Sequence, residues 1–353
     1  MNNQLCIVDP APKDAVTNGQ CNFGTYNAPL SSVNLLDAKK PLFFPLPRWL
    51  KNFRLKEWEA IQIRYGDWFI CLAVYNTKSV GTAIVMACDT SNKKMHVYRH
   101  KVPFWKLSVP KGLQDSCCFY KGNKKSSHQL SIEVNNQLGK DRVSVVFTLA
   151  GFDGLPDMHG EFSGHHSTEP LVIVHPFHDN RPLYSHKALM EAEGKLIVDG
   201  LDVATDDRKS SLILDDHKGF YPFSMAYDWV TAFGYPDTGA LQGFNLTRNQ
   251  VRNSKRYNEN CLWLSGKVYR LPPVTISRPE GIESPWLIRD NHGCVDLVFT
   301  PLANAVEYLN LGIVKVDYNG PTGVFSGTIS HPDSGRVIFD GMVGMGERKR
   351  IRL

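Results

Sequence analysis

Apolar and polar residues alternate along this chain with a period of two, and that alternation limits the folds open to it. In HQLSIEVN, Leu130, Ile132 and Val134 share one parity, with Gln129, Ser131 and Glu133 on the other. Val143, Val145, Phe147 and Leu149 repeat the pattern in DRVSVVFTL, as do Val295, Leu297 and Phe299 in CVDLVFT. Successive side chains of an extended strand point to opposite faces, so each run reads as a half-buried strand. Turn-forming clusters separate the runs: Asp89-Thr90-Ser91-Asn92, Asn135 to Gly139, and His331 to Gly335. Many short strands joined by such turns specify an all-β barrel or sandwich of antiparallel strands. Helical periodicity is nearly absent. Only Ser185 to Ala192 and, more weakly, Ala303 to Leu309 read as short helices.

A chain of 353 residues exceeds one ordinary core and calls for two domains or one duplicated domain. The proline-rich first 45 residues read as an irregular arm, one that could cover a barrel mouth. The loop-like PFHDNRPL, Pro176 to Leu183, marks a mid-chain break. Glu161-Phe162-Ser163-Gly164 and Val324-Phe325-Ser326-Gly327 echo one another about half a chain apart. The expected organisation is therefore an arm over 1–45, a first β-barrel over 46–180 and a second over 181–353, in tandem, with few short helices.

Hydrophobic residues at 42% supply ample core, and a net charge of +5 is small for this length. The basic residues are scattered apart from Lys39-Lys40, Lys124-Lys125 and the run from Glu347 to Arg352, which reads as a solvated end. A nucleic-acid surface would gather them into a stripe, so no nucleic-acid partner is expected. Cys71, Cys88, Cys261 and Cys294 lie in apolar runs as small hydrophobes, and no C-x-x-C pair occurs. With no basic and apolar leader at the N-terminus and no apolar run of membrane-spanning length, the expectation is a reduced, cytoplasmic protein without an integral membrane segment.

Several chemistries lack their motifs. The run GHHSTEPLVIVHPFH holds His165, His166, Glu169, His175 and His178, imidazoles of the kind a cupin-type metal barrel uses. On a strand His165 and His166 point apart, and His175 and His178 do not share a face, so they read as exposed loop histidines and no metal is expected. There is no Gly-x-Ser-x-Gly elbow, and the glycines from Gly341 to Gly346 have the wrong spacing for a phosphate cradle. No cofactor is expected.

Chemistry-bearing residues concentrate between Leu214 and Leu271. Asp215, Asp216, His217, Tyr227, Asp228, Trp229, Asn245, Asn258, Glu259, Asn260 and Trp263 stand among apolar and aromatic neighbours. Carboxylates beside aromatic surfaces can have raised pKa values, and a neutral acid can donate a proton or a hydrogen bond; aromatic walls with a few convergent polar groups make small-molecule pockets. The same residues equally make a hydrogen-bonded network that fixes strand register. Composition leaves pocket and network both open.

These residues also carry a resemblance. Tyr227-Asp228-Trp229, Gly243-Phe244-Asn245-Leu246-Thr247, Asn258-Glu259-Asn260-Cys261-Leu262-Trp263, Gly266-Lys267 and Leu271-Pro272-Pro273-Val274 look like domain-of-unknown-function family 2804. Arg54 to Trp58, Pro285-Trp286, Asp296 to Pro301 and Gly323 to Gly327 extend the likeness along nearly the whole chain. That family is distantly similar to lipocalin-like double-barrel proteins such as hydroxyneurosporene synthase, tocopherol cyclase and fungal pericyclases. The resemblance implies two lipocalin-like barrels side by side and an apolar small-molecule cavity.

Two functions follow. In the first, the chain is an enzyme acting on a hydrophobic small molecule by proton transfer: hydration, cyclisation or isomerisation. Asp228 or Glu259 is then the general acid, assisted by Tyr227 and His217. Trp229 and Trp263 wall the site and stabilise a carbocation, and Asn245, Asn258 and Asn260 contact the ligand. In the second, the same pocket belongs to a non-catalytic carrier of a lipid-like ligand, with the carboxylates structural. Oligomeric state is open.

Overall fold

The computed structural model describes residues 7–123, 128–205, 209–236 and 239–352. The Lys124-Lys125 pair lies outside the described residues. Almost every element is a strand, and the strands form two large curled antiparallel half-barrels. The main path of the first sheet runs Lys94–Pro103, Val80–Asp89, Trp68–Asn76, Lys56–Tyr65, Ser210–Gly219, Arg181–Val198, Met158–His165, Arg142–Leu149, Leu130–Gln137, Ser116–Lys121 and Leu107–Ser108. The second runs Lys267–Arg270, Cys261–Leu264, Gln242–Arg248, Ser224–Gly234, Gly335–Arg352, Val314–His331, Val295–Leu311, Trp286–Asp290 and Val274–Ser277. The Asp179-Asn180 turn joins two strands of the first sheet, and the chain passes to the second between Gly219 and Ser224.

Alternation sorts the side chains into three apolar layers. Ile61, Val134, Val145, Phe147 and Leu214 fill the concave side of the first sheet. Phe244, Trp286, Phe299, Phe325 and Phe339 fill the second. Between the sheets lies a seam where Phe69, Leu189 and Ile213 of the first meet Tyr227, Trp229, Phe233 and Trp263 of the second. At the far end of this seam Glu307 lies 2.5 Å from Lys101 and 3.5 Å from Arg99, tying the sheets at their rims.

The arm is also strand-bearing. Gly24–Tyr26 pairs antiparallel with the Leu171–His178 strand, and Tyr26, Leu30 and Leu35 cover Val172, Val174, Tyr184 and Phe220. Among the described residues the one α-helix, Arg48–Arg54, follows it. Among the described residues no helix is long and apolar enough to cross a membrane.

Three expectations from local sequence are corrected. Ser185 to Ala192 is not a helix but lies inside the 18-residue strand Arg181–Val198, where Ser185 to Met190 are buried whichever face they take. A strand covered on both sides loses its polar–apolar alternation, and SHKALMEA shows none. Ala303 to Leu309 belongs to the Val295–Leu311 strand, with pairing shifted at Pro301/Ala303; cross-strand hydrogen bonds override its helix-forming alanine, glutamate and leucine. The basic run Glu347 to Arg352 is no solvated end. It forms the last turnless stretch of Gly335–Arg352, a central strand whose Arg348 pairs with Asp317 at 2.7 Å and whose Arg350 pairs with Asp228 at 2.9 Å.

Candidate functional site

The adjacent strands Arg181–Val198 and Ser210–Gly219 carry Ser-His-Lys and Asp-Asp-His-Lys in register, with Ser185 opposite His217, His186 opposite Asp216, and Lys187 opposite Asp215. Because opposed residues share a face, one set of polar side chains enters the seam and the other enters the first half-barrel. All of them are buried.

On the seam side, Lys187 Nζ lies 2.5 Å from Asp215 Oδ2, and His217 Nε2 lies 3.0 Å from Asp215 Oδ1. Ser185 Oγ and Lys187 Nζ stand 3.1 and 3.2 Å from the same imidazole nitrogen. Trp58 stacks on the His217 ring at 4.6 Å, and Tyr221 stacks on Trp58. The segment leading into the Cys261–Leu264 strand of the second sheet answers with Glu259, which has no exposed surface. Tyr227 OH donates to Glu259 Oε2 at 3.0 Å, and His175 Nε2 sits 3.1 Å from Oε1, within ion-pair range. His217 and Lys187 approach Oε2 to 3.7 and 3.9 Å. Lys187 Nζ also lies 5.5 Å from the centre of the Trp229 ring.

Two carboxylates and one ammonium thus share a dry layer with two imidazoles and a phenol. Burial would push Glu259 up, but His217, the His175 hydrogen bond and Lys187 outweigh it and hold the carboxyl at about 2. The same contest, won by Lys187 and His217, holds Asp215 well below the ordinary carboxylate range. Both are carboxylates at neutral pH, so they accept protons and hydrogen bonds, and the donors facing them are Lys187, the imidazoles and Tyr227.

The opposite face builds a different environment. Glu59 lies directly across from Asp216 on the neighbouring strand, and Asn136 Nδ2 donates to it at 2.9 Å. Burial and the facing Asp216 push Glu59 up to about 8, and burial pushes Asp216 up as well. Lys218 Nζ, 3.5 Å from Asp216, is the nearest cation. His186, on the same face, is driven down to about 4 by burial.

The residues singled out from sequence divide accordingly. Glu259, Tyr227 and His217 converge, with Trp229 alongside. Asp228 does not join them: it points to the opposite side of its strand, where Arg278 lies at 3.0 Å and Arg350 at 2.9 Å. The amides serve the backbone. Asn245 accepts from Trp229 Nε1 at 2.6 Å and donates to Glu259 O at 2.6 Å. Asn260 accepts from Thr247 N and donates to Pro272 O, while Asn258 accepts from Asn260 N and donates to Ser254 O. Trp263 is fully buried in the seam and donates to Glu169 O at 3.2 Å.

His175 corrects the reading of the histidine run. It occupies the interior of the Leu171–His178 strand with no exposed surface, on the seam-facing parity of Leu171 and Ile173; the pairing irregularity at Pro176/His178 lets a proline follow it. His165 and His166, by contrast, stand at a strand end. Lys187 and Asp215 were without an assigned role in the sequence. Their signal was present: a lysine inside the apolar SHKALMEA, and DDHK closing the apolar SLIL. Among the described residues no group of three or more His, Cys, Asp or Glu side chains is arranged to hold a metal ion.

A family model for the domain of unknown function DUF2804 matches residues 11–353. This chain belongs to that family. Solved structures similar to the DUF2804 chain include kievitone hydratase from Nectria haematococca (12% identity, 84% of this chain and 88% of that one, TM-score 0.51). A putative AttH from Nitrosomonas europaea is similar at 14% identity, over 85% of this chain and 93% of that one, also at TM-score 0.51. CghA in complex with Sch210972 matches over 100% and 97% of the two chains at 12% identity and TM-score 0.51. At these identities the likeness establishes the fold, a lipocalin-like double barrel, for the DUF2804 chain. No curated protein sequence matches it.

Proposed function

We propose that this protein takes a hydrophobic small molecule at the seam between its half-barrels and moves a proton to or from it, in a hydration, cyclisation or isomerisation. The observation that carries this reading is the fully buried Glu259 carboxyl, ringed by His175, His217, Lys187 and Tyr227 in an aromatic layer. Charges in such a dry, fixed setting act on a bound molecule far more strongly than in water. Glu259 then accepts a proton or faces a developing cation, His217 Nε2 stands between Glu259 and Asp215, and Lys187 and Tyr227 donate. Trp58 and Trp229 supply apolar walls. Neither the cleft of about 410 Å³ nor that of about 200 Å³ is lined by these side chains. A hydratase stands among proteins of the same fold, which agrees with the reading but is an analogy of scaffold.

The test is isotopic. Hydrophobic extracts of the producing cells are incubated with protein in deuterated water and followed by mass spectrometry. The expected result is a compound that gains deuterium or the mass of water with wild-type protein and not with Glu259→Gln. A compound that co-purifies and is returned unlabelled by both proteins would make the chain a carrier.

A further inference from the structure

A second cleft lies at the edge of the seam, apart from the Glu259 cluster. The two-residue turn Ser265-Gly266, both with positive φ, folds Lys267–Arg270 back on Cys261–Leu264 and sets Arg270 opposite Cys261. Arg270 lines a cleft of about 410 Å³ bounded by the arm, the start of the Leu171–His178 strand and this hairpin. Its Nη2 donates to Asn258 O, while Nε and Nη1 are buried without a hydrogen-bond partner. On the arm, Thr25 Oγ1 is also buried and unpartnered, and Thr25 lines the same cleft. Arg270 and Thr25 are 5% and 3% exposed. Buried donors without acceptors carry a desolvation penalty that an occupant would relieve.

Tyr26, Leu171 and Val268 give the cleft apolar sides, and the exposed Glu169, fixed by Val268 N–H at 3.2 Å, stands at its rim. One cation at the floor and one anion at the rim leave little net attraction for a dianion. A monoanion with an apolar body meets both the charge and the walls. We propose that this cleft binds a small organic carboxylate, its carboxylate on Arg270 and Thr25 and its apolar body against Tyr26, Leu171 and Val268. The site is separate from the proton-transfer cluster and stands whether or not that cluster is catalytic.

Cinnamate and cinnamamide, alike in shape and different in charge, serve as probes in calorimetric titration of the full chain. Cinnamate is expected to bind at least ten-fold more tightly than cinnamamide. Thr25→Val, which preserves shape, is expected to weaken cinnamate several-fold, and Arg270→Lys at least ten-fold. Glu169→Gln, at the solvated rim, is expected to tighten it. Equal affinity for the two probes, no binding of either, or cinnamate affinity unmoved by Thr25→Val and Glu169→Gln would overturn the assignment. Thr25→Val and Glu169→Gln keep it testable if Arg270→Lys does not fold.

Discussion

Glu259 and His175 meet at 3.1 Å across the seam, one from the segment leading into the Cys261–Leu264 strand of the second sheet and the other from the first sheet, and neither has any exposed surface. Tyr227 closes the same carboxylate from its own sheet at 3.0 Å. The pair is therefore a clamp between two half-barrels as well as the centre of the proposed chemistry. Substitutions can separate those roles.

Glu259→Leu leaves His175 and the Tyr227 hydroxyl without their common acceptor, while Lys187 keeps Asp215. Removing one partner of a buried ionic group costs about 3–5 kcal/mol. Urea unfolding should show that loss, with Glu259→Gln, which keeps an acceptor oxygen, losing less. Wild-type stability in Glu259→Leu would remove the clamp.

The acid side of the stability curve should carry the mark of Glu259. Its folded value of about 2 lies below the ordinary 4.5, so the unfolded chain takes up the proton first as pH falls. Its contribution is complete above about 4.5 and drains away as pH drops toward 2. Melting temperatures of wild type and Glu259→Gln should therefore converge between pH 5 and 3. A gap that stays constant over that range would contradict the ionised assignment.

Glu59 should act on the other limb. Its folded value of about 8 lies above the ordinary 4.5, so the folded chain keeps a proton that the unfolded chain releases. The stability it lends is complete below 4.5 and is lost as pH rises through 8. Glu59→Gln, a neutral mimic that still accepts from Asn136, should gain on wild type as pH is raised from 5 to 8. Parallel melting curves across that range would refute the proton-retaining assignment.

Asp228→Asn should damage stability and spare chemistry. It weakens the pairing to Arg278 and Arg350 on the far side of the strand, at about 1–3 kcal/mol. Deuterium labelling should proceed at the wild-type rate once the variant is folded. Loss of labelling with unchanged stability would return Asp228 to the reacting centre.

The strands were legible where one face is wet. Leu130, Ile132 and Val134 alternate with polar neighbours, and they are the residues buried in the first half-barrel. Legibility failed where both faces are dry: SHKALMEA lies between the half-barrel and the seam, and nothing in its order marks it as a strand. The candidate site was half legible for the same reason. Glu259, Tyr227 and His217 stand out as polar residues among aromatics, but the Glu259 partners His175 and Lys187 come from strands 84 and 72 residues earlier, and one sequence does not encode which buried strand faces which. The amides of Asn258 and Asn260 announced a polar cluster correctly, while the hydrogen bonds that occupy them are to backbone groups invisible in residue order.

The paired Ser-His-Lys and Asp-Asp-His-Lys strands have one more consequence. Their neighbours in sequence look in opposite directions, so a slip of a single residue between them would send Asp216 into the seam and Asp215 into the half-barrel. Each charge would then face the wrong company: Asp216 would meet Glu259, and Lys187 would lose its carboxylate. An all-apolar pair of strands tolerates such a misalignment cheaply, but this one does not. The two polar layers act together as a key that admits one alignment of this strand pair.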